Sequence, residues 1–364
     1  MANRKVYIGL GSNLGDRQSN IEKTLGKLGD CEAIESVRHS SIIETAPLAA
    51  MGQQPAYLNT VAEVVTSINC QGLLFVCKRI EKELGRTQSQ RWSPRQIDLD
   101  ILLDGNVHID TADLTVPHKQ MHLRSFVLAG LCELDALLVH PVIGETVEVL
   151  AKRLGGRNHY LNKSVPQLIS VAGLIGVGKT TLTQGLADVF DCEQLREPYD
   201  ENPFLSKVYN GDERLALDSQ LYFLTQRVKQ LSGTHLKDGC EYISDYVFDK
   251  ELIYAGCTLD ELQLELYNEV YDVFVEKVTR PVLVIYMQDS CENCLDRINT
   301  RNRSYEKDIS RDFLKSLEKE YDELFSRWDK SPVIRLNIKK FDAMKKSDIK
   351  QLTTQIKEYV TTEG

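Results

Sequence analysis

The stretch QLISVAGLIGVGKTTLTQGLADVF, residues 167–190, decides the fold of the half of the chain that holds it. QLISVA is an apolar run of strand length, and TTLTQGLADVF places apolar residues at helical spacing. Between them stand Gly173, Gly176, Gly178, Lys179 and Thr180 in the order G-x-x-x-x-G-K-T. A strand, a glycine turn and a helix form the setting in which this pattern builds a phosphate-binding loop. Glycines let successive backbone N–H groups turn inward on phosphate, and the helix N-terminus adds its dipole. Lys179 then reaches the outer phosphates of ATP, Thr180 offers a hydroxyl to Mg²⁺, and Thr181 follows on the same turn. Downstream, CEQLRE, EYISDY, PVLVIYM and PVIRLNI are further short apolar runs separated by helical patterns. That alternation predicts an α/β domain with a five-stranded parallel sheet. The loop implies ATP and leaves the acceptor open.

Working outward, the chain has 364 residues, about twice a common single-domain length. The stretch GGRNHYLNKSVP, residues 155–166, is rich in Gly, Asn and polar residues and lies between a helical pattern and the QLISVA strand. It predicts a first domain over 1–158, a linker over 159–166 and a second domain over 167–364. Apolar residues at 42% and charged residues at 27% are an ordinary globular composition. A net charge of −9 argues against nucleic-acid or membrane-surface partners, which favour basic patches. No apolar run is long enough to span a membrane, and the start MANRKVYIGLGSN lacks a signal-peptide core. Nine scattered cysteines predict free thiols in a reducing cytosol. Cys291 and Cys294 form a C-x-x-C without the second pair a zinc site needs.

The first domain reads as strands KVYIGLG, HSSIIETA, LNTVAEVVT and QIDLDILLD interleaved with helices, an α+β pattern with helices on one face. Its most chemical feature is Asp98-Leu99-Asp100 inside an apolar strand. Residues two apart on a strand share a face, so both carboxylates point one way. Such a pair is costly to desolvate without a cation, and Mg²⁺ prefers hard oxygen ligands. An exposed edge strand with solvated acids has the same spacing. The surrounding Arg86, Arg91, Trp92, Arg95, His118 and Arg124 favour a polyphosphate pocket, because guanidinium forks match phosphate oxygens.

GLGSNLGDR, ETAPL, PAYLNTVAEV, RWSPRQIDLDILLDG and VPHKQMHLRSFVL, in this order over roughly residues 4–150, resemble 6-hydroxymethyl-7,8-dihydropterin pyrophosphokinase. The resemblance implies a ferredoxin-like α+β fold and transfer of the β,γ-diphosphate of ATP to the pterin hydroxymethyl group, with AMP released. It further implies that Asp98 and Asp100 hold two Mg²⁺ ions. Tyr57 and Asn59 would frame the pterin, the backbone around Thr45 and Leu48 would read its edge, and Phe126 would stack on it. Glu81, Arg86, Trp92, Arg95, His118 and Arg124 would line the ATP side, with Arg86 and Arg95 among the catalytic groups. The chain departs from the family at Gln88, where many members carry arginine, and in the lengths of two loops.

In the second domain Glu197-Pro198 ends a strand at the usual ligand crevice of an open α/β sheet, where a carboxylate suits a general base. Gln220 offers a donor and an acceptor, as a base edge requires. Considered singly, Glu197 reads better as a helix-entry acid and Gln220 as a surface glutamine. Together with the glycine loop, Tyr209, Ser244-Asp245-Tyr246 and INTRNRSYE, they resemble deoxynucleoside kinases of the thymidine kinase 2/deoxyguanosine kinase type over about residues 166–340. That resemblance implies Glu197 as base for the 5′-hydroxyl, and Tyr209 and Glu306 on the 3′-hydroxyl. Gln220 and Asp245 would bind the deoxynucleoside, and Arg297, Arg301 and Arg303 would close a lid on ATP, with Lys179, Arg301 and Arg303 catalytic. One Mg²⁺ would sit at Thr180. Tyr246-Val247 stands where animal enzymes carry Arg-Ser, and Arg227 is a candidate to replace that charge.

The expectation is a bifunctional ATP-dependent transferase acting on small molecules in the cytoplasm, a homodimer through the kinase domain. Two rivals are a chain with one catalytic domain and one binding or dimerisation module, and a rear domain acting on nucleoside monophosphates. Phosphate on the acceptor would call for more basic residues near Glu197 than Arg196.

Overall fold

In β1 (Arg4–Ser12) alternate residues face opposite ways, and Val6, Ile8 and Leu10 are buried on one side. The structure, a computed structural model, describes residues 3–47, 54–85, 93–301, 303, 306 and 309–361, with Tyr209 described by its backbone alone. The chain divides into two units, Met1–Tyr160 and Leu161–Gly364.

In the first unit β1 pairs antiparallel with β4 (Tyr57–Thr66) and β5 (Asp98–Leu103), and β4 pairs with β2 (Ile34–His39) and β3 (Ile43–Thr45). The strand order is β2-β4-β1-β5, with β3 also on β4. Helices α1 (Arg17–Gly29) and α2 (Cys70–Glu83) bring Ile21, Leu28, Leu73, Cys77 and Ile80 into one core with Ile8, Leu10, Leu99 and Ile101. Each such buried aliphatic side chain contributes about 1.5–3 kcal/mol. The Asp16 side chain caps α1 by accepting from Ser19 N, and Asn69 caps α2 by accepting from Gly72 N. A short ribbon of β6 (Ile109–Asp110) and β7 (Thr115–Val116) leads to α3 (Ser125–Asp135), which packs on β4, and α4 (Val147–Leu154) packs on α3.

His140 is buried, and its Nε2 has no hydrogen-bond partner among the described residues. Burial pushes its pKa from 6.5 down to about 4. The folded ring therefore resists protonation more than the unfolded one. Its stabilising contribution is complete above pH 6.5 and is lost as pH falls toward 4. The loss is on the order of 3 kcal/mol. Urea unfolding at pH 7 and pH 4.5 checks this: His140→Asn retains an acceptor for Ile143 N and is expected to lose less stability between the two conditions than the native chain.

In the second unit five strands run parallel in the order β12-β11-β8-β10-β9. They are β8 (Gln167–Ala172), β9 (Glu193–Leu195), β10 (Glu241–Ser244), β11 (Leu283–Gln288) and β12 (Val333–Asn337). Every residue of central β8 is buried, as a strand covered on both faces requires. The helices are α5 (Lys179–Phe190), α6 (Leu205–Tyr209), α7 (Ala216–Leu231), α8 (Lys250–Thr258), α9 (Glu261–Val275), α10 (Cys291–Arg301), α11 (Arg311–Ser326) and α12 (Lys346–Lys357). The carboxyl ends of β8, β9 and β10 lead to the glycine loop, to Glu197 and to Asp245. Among the described residues, no helix is long and apolar enough to cross a membrane. Cys291 and Cys294 lie buried on α10 as free thiols.

Candidate active sites

The register of the first sheet builds its cleft. Gly9 pairs with Asp100 and Gly11 with Asp98 across β1 and β5, while on the other side Gly11 pairs with Asn59. Leu99 and Ile101 alternate with the acids and enter the core, so both carboxylates stand on the opposite face. A Cβ at Gly11 would lie 3.0 Å from Asn59 Oδ1, so glycine there lets Asn59 rest against the sheet. Asp98, Asp100, Arg95, Arg124, Tyr57, Asn59, Thr45 and Phe126 line one cleft. Asn59 Nδ2 donates to Thr45 Oγ1 at 2.8 Å, which ties the β3 edge to β4.

Arg95 Nη1 donates to Asp98 Oδ2 at 2.6 Å, and its backbone N–H donates to Asn13 Oδ1 at 2.8 Å. His118 Nε2 and Arg124 Nη1 each lie 3.9 Å from Asp100 Oδ2. Burial works to raise the Asp100 pKa, but His118, Arg124, Lys78 and Arg95 outweigh it and hold the carboxyl below the usual range. Burial pushes His118 down to about 4, so its ring is neutral near pH 7. Arg124 Nε is buried and has no partner among the described residues. An orphaned guanidinium N–H beside two carboxylates fits a site completed by cations and phosphate together.

In the second cleft Lys179 Nζ donates to the carbonyls of Gly173 and Leu174, both at 2.9 Å. Burial, aided by the charge of Lys250, pushes its pKa down to about 7. Gly176 has φ +80°, and a Cβ there would lie 2.4 Å from the carbonyl oxygen of Cys294, so only glycine fits. Thr180 Oγ1 donates to Asp245 Oδ2 at 2.9 Å, and Asp245 Oδ1 accepts from Glu197 N at 2.9 Å. Glu197 is 5% exposed, and Lys250 Nζ donates to its two oxygens at 2.6 and 2.7 Å. Arg227 bridges Glu197 and Glu251, and Glu251 accepts from the Tyr267 hydroxyl. Burial opposes the Arg227 charge, yet Glu251 holds its pKa above the ordinary value; burial and Arg227 hold Lys250 well below its own. Arg301 makes two bonds of 2.6 Å to Glu306, and Arg303 lies 3.8 Å from the same carboxylate.

The family model for deoxynucleoside kinase matches residues 169–361, and that for 7,8-dihydro-6-hydroxymethylpterin-pyrophosphokinase matches residues 7–136. The 2-amino-4-hydroxy-6-hydroxymethyldihydropteridine pyrophosphokinase of Bacillus subtilis is 44% identical over 132 residues, covering 36% of this chain and 78% of that protein. The deoxyguanosine kinase of the same species is 31% identical over 200 residues, covering 53% of this chain and 97% of that one. This chain belongs to both families. A mitochondrial folate synthesis bifunctional protein of Pisum sativum is 36% identical over 196 residues, which cover 51% of this chain and 38% of the pea protein's length.

The pyrophosphokinase half and the deoxynucleoside kinase half thus each hold an ATP-using transferase cleft. In the kinase half Gly176, Gly178, Lys179, Thr180, Thr181, Glu197, Gln220, Arg301, Arg303 and Glu306 come together around one cavity. Gly173 lies beneath it, as an acceptor for Lys179.

Three expected binding residues are held in contacts with the protein itself. Glu81, 1% exposed, turns into the core and accepts from Leu99 N at 2.9 Å, bracing the strand that carries the acids. Arg297 donates to Gly176 O at 3.2 Å and pairs with Asp289, so it is tied to the glycine loop. Asp245, 2% exposed, accepts from the Thr180 hydroxyl and from the Glu197 backbone N–H, which ties the glycine-loop helix to the end of β9. Leu48, Arg86, Gln88, Arg91 and Trp92 lie outside the described residues, as does the side chain of Tyr209.

Two positions looked different in the sequence. Tyr246 is buried, and its hydroxyl donates to Gln230 Oε1 at 2.6 Å, away from the cavity. Lys250, which the sequence reading passed over, supplies a cation beside Glu197 and lies 4.8 Å from the Tyr254 ring centroid. A single lysine opening an apolar helix carries no local signal of this role. Arg227 did carry one, because it shares a helical face with the buried Gln220, Phe223, Leu224 and Leu231.

Proposed function

We propose that the pyrophosphokinase half transfers the β,γ-diphosphate of ATP to the hydroxymethyl group of 6-hydroxymethyl-7,8-dihydropterin, releasing AMP. The kinase half transfers the γ-phosphate of ATP to the 5′-hydroxyl of a deoxynucleoside, releasing ADP. The observation that carries this reading is that each half has its own cleft in which phosphate-binding groups adjoin an acceptor side. In the first cleft that is Asp98, Asp100, Arg95 and Arg124 beside Tyr57, Asn59 and Phe126; in the second it is Lys179 and Thr180 beside Glu197 and Gln220.

In the first half, Asp98 and Asp100 would hold two Mg²⁺ ions, whose charge offsets that of the phosphates. Arg95 and Arg124 orient the phosphates and favour the charge that grows on the bridging oxygen. Phe126 and Tyr57 flank the acceptor ring, and Asn59 with the Thr45 backbone holds its edge. Leu48, Arg86 and Trp92 complete that site in our reading, and the strand order supports a ferredoxin-like fold for it. In the second half, Thr180 would hold one Mg²⁺ with Asp245 behind it. Glu197 takes the 5′-hydroxyl proton, Gln220 meets the base, and Tyr209 and Glu306 hold the 3′-hydroxyl. Arg301 and Arg303 close over the phosphates. Purine deoxynucleosides are our preferred acceptors, supported by the printed name of the Bacillus relative.

We read the chain as cytoplasmic, on its free thiols, and as a homodimer through the kinase half. The exposed stripe of Leu262, Leu266 and Val273 on α9 supports the dimer. Light scattering is expected to give twice the chain mass; a monomer at micromolar concentration removes that expectation.

Chromatography of nucleotides after incubation with Mg²⁺, ATP and one acceptor at a time tests the reactions. AMP is expected only with the pterin, and ADP only with deoxynucleosides. Without AMP the first half is a binding module; ADP formed from deoxynucleoside monophosphates but not from deoxynucleosides would favour a monophosphate kinase.

A further inference from the structure

Gln220 lines the kinase cavity at 8% exposure, on the face of α7 that meets α8. Its Nε2 lies 3.1 Å from Thr258 Oγ1, at the last residue of α8. The Thr258 hydroxyl also lies 2.7 Å from the Tyr254 carbonyl, one helical turn back. A carbonyl only accepts, so the hydroxyl proton belongs to that bond. Thr258 therefore has only a lone pair left for Gln220, and a lone pair requires the amide NH₂ rather than the amide oxygen. This chain of donors fixes which way round the amide sits. Among the described residues, Gln220 Oε1 accepts no hydrogen bond, so it remains for a ligand in the cavity.

We infer that Thr258 is a positioning residue that sets base specificity by locking the Gln220 amide in one orientation. The inference rests on the reading of Gln220 as the base-facing residue and goes one step beyond it. Amino-bearing bases, adenine and cytosine, place an exocyclic donor beside a ring acceptor on the edge that pairs. Oxo-bearing bases, guanine and thymine, place an exocyclic acceptor beside a ring donor. In one binding pose the two orders are mirror opposites. An amide free to turn over serves both, whereas a locked amide serves one and leaves unpaired groups against the other.

The test is the ratio of kcat/KM for deoxyadenosine and deoxyguanosine in the full chain with Mg²⁺ and ATP. Native protein is expected to favour one of them by about tenfold or more. Thr258→Val keeps the shape and removes the acceptor; the ratio is expected to fall to about threefold or less. Thr258→Ser restores the hydroxyl and is expected to restore the native ratio, which a loss of packing alone would not do. If the Val variant melts early, Thr258→Ala removes the hydroxyl without branching and is read in the same way. A native ratio near one, or an unchanged ratio in both Val and Ala variants, overturns the lock. Gln220→Leu separates the two ways to fail. If it raises KM for the deoxynucleosides while Thr258→Val keeps the ratio, the lock alone is wrong. If Gln220→Leu leaves KM untouched, the placement of the base against Gln220 is wrong, and the lock falls with it.

Discussion

Asp98→Ala is expected to lower AMP release with the pterin by at least about a thousandfold, because metal-assisted charge neutralisation at a phosphoryl centre is worth several kcal/mol. The size of the effect follows from the geometry. Asp98 and Asp100 share a sheet face because they alternate with the buried Leu99, and no other acid lines that cleft among the residues described around it. Removing one carboxylate leaves Arg95 without its 2.6 Å partner and leaves Asp100 alone among His118 and Arg124. Stability is expected to change by only about 1 kcal/mol, since the Arg95–Asp98 pair is only partly buried and water reaches the cleft that holds it. ADP formation by the kinase half is expected to stay at the native rate. Parallel AMP and ADP assays on one preparation, with a thermal melt, check all three statements.

Glu197→Gln is expected to lower ADP formation by about a hundredfold to ten-thousandfold, the usual contribution of a positioned proton acceptor. An amide is too weak a base to take the 5′-hydroxyl proton. The change also strips a carboxylate from two buried cations, Lys250 and Arg227, each 3% exposed at the side chain. Breaking a buried pair from one side costs about 3–5 kcal/mol, so the kinase half is expected to melt earlier as well. ATP binding separates chemistry from unfolding. The P-loop contacts do not involve Glu197, so a folded variant retains nucleotide affinity while turnover is lost. A variant that turns over deoxynucleoside at more than about a tenth of the native rate would remove Glu197 as the base.

Much of the architecture is legible in the sequence. The inner parallel strands β8, β10 and β11 were readable because each is a short, largely buried run between helical patterns, the form that a doubly covered sheet imposes, whereas β9 at the sheet edge buries only Leu195. The edge strand β2 was not, since only Ile34 of its six residues is buried and no alternation results. HSSIIETA read as one strand but is divided between β2, which ends at His39, and β3, which begins at Ile43. Helix α3 escaped notice because it lacks a side-chain cap and is apolar on most faces. The chemistry was legible where local spacing dictates it, in Asp98 and Asp100 on one strand and in the glycine loop. It was not legible where the partner comes from a distant element. Lys250 meets Glu197 only because β9 and α8 converge, and Glu81 turns inward only because α2 packs behind β5.

The proposed function requires two independent ATP-using sites on one chain. The most direct measurement supplies Mg²⁺, ATP, hydroxymethyl-dihydropterin and a deoxynucleoside together to the intact chain and to its Asp98→Ala and Lys179→Ala variants, and follows AMP and ADP in each. Both products are expected from the native chain, ADP alone from Asp98→Ala and AMP alone from Lys179→Ala. A folded variant that lost both products, or a native chain that made only one, would contradict it.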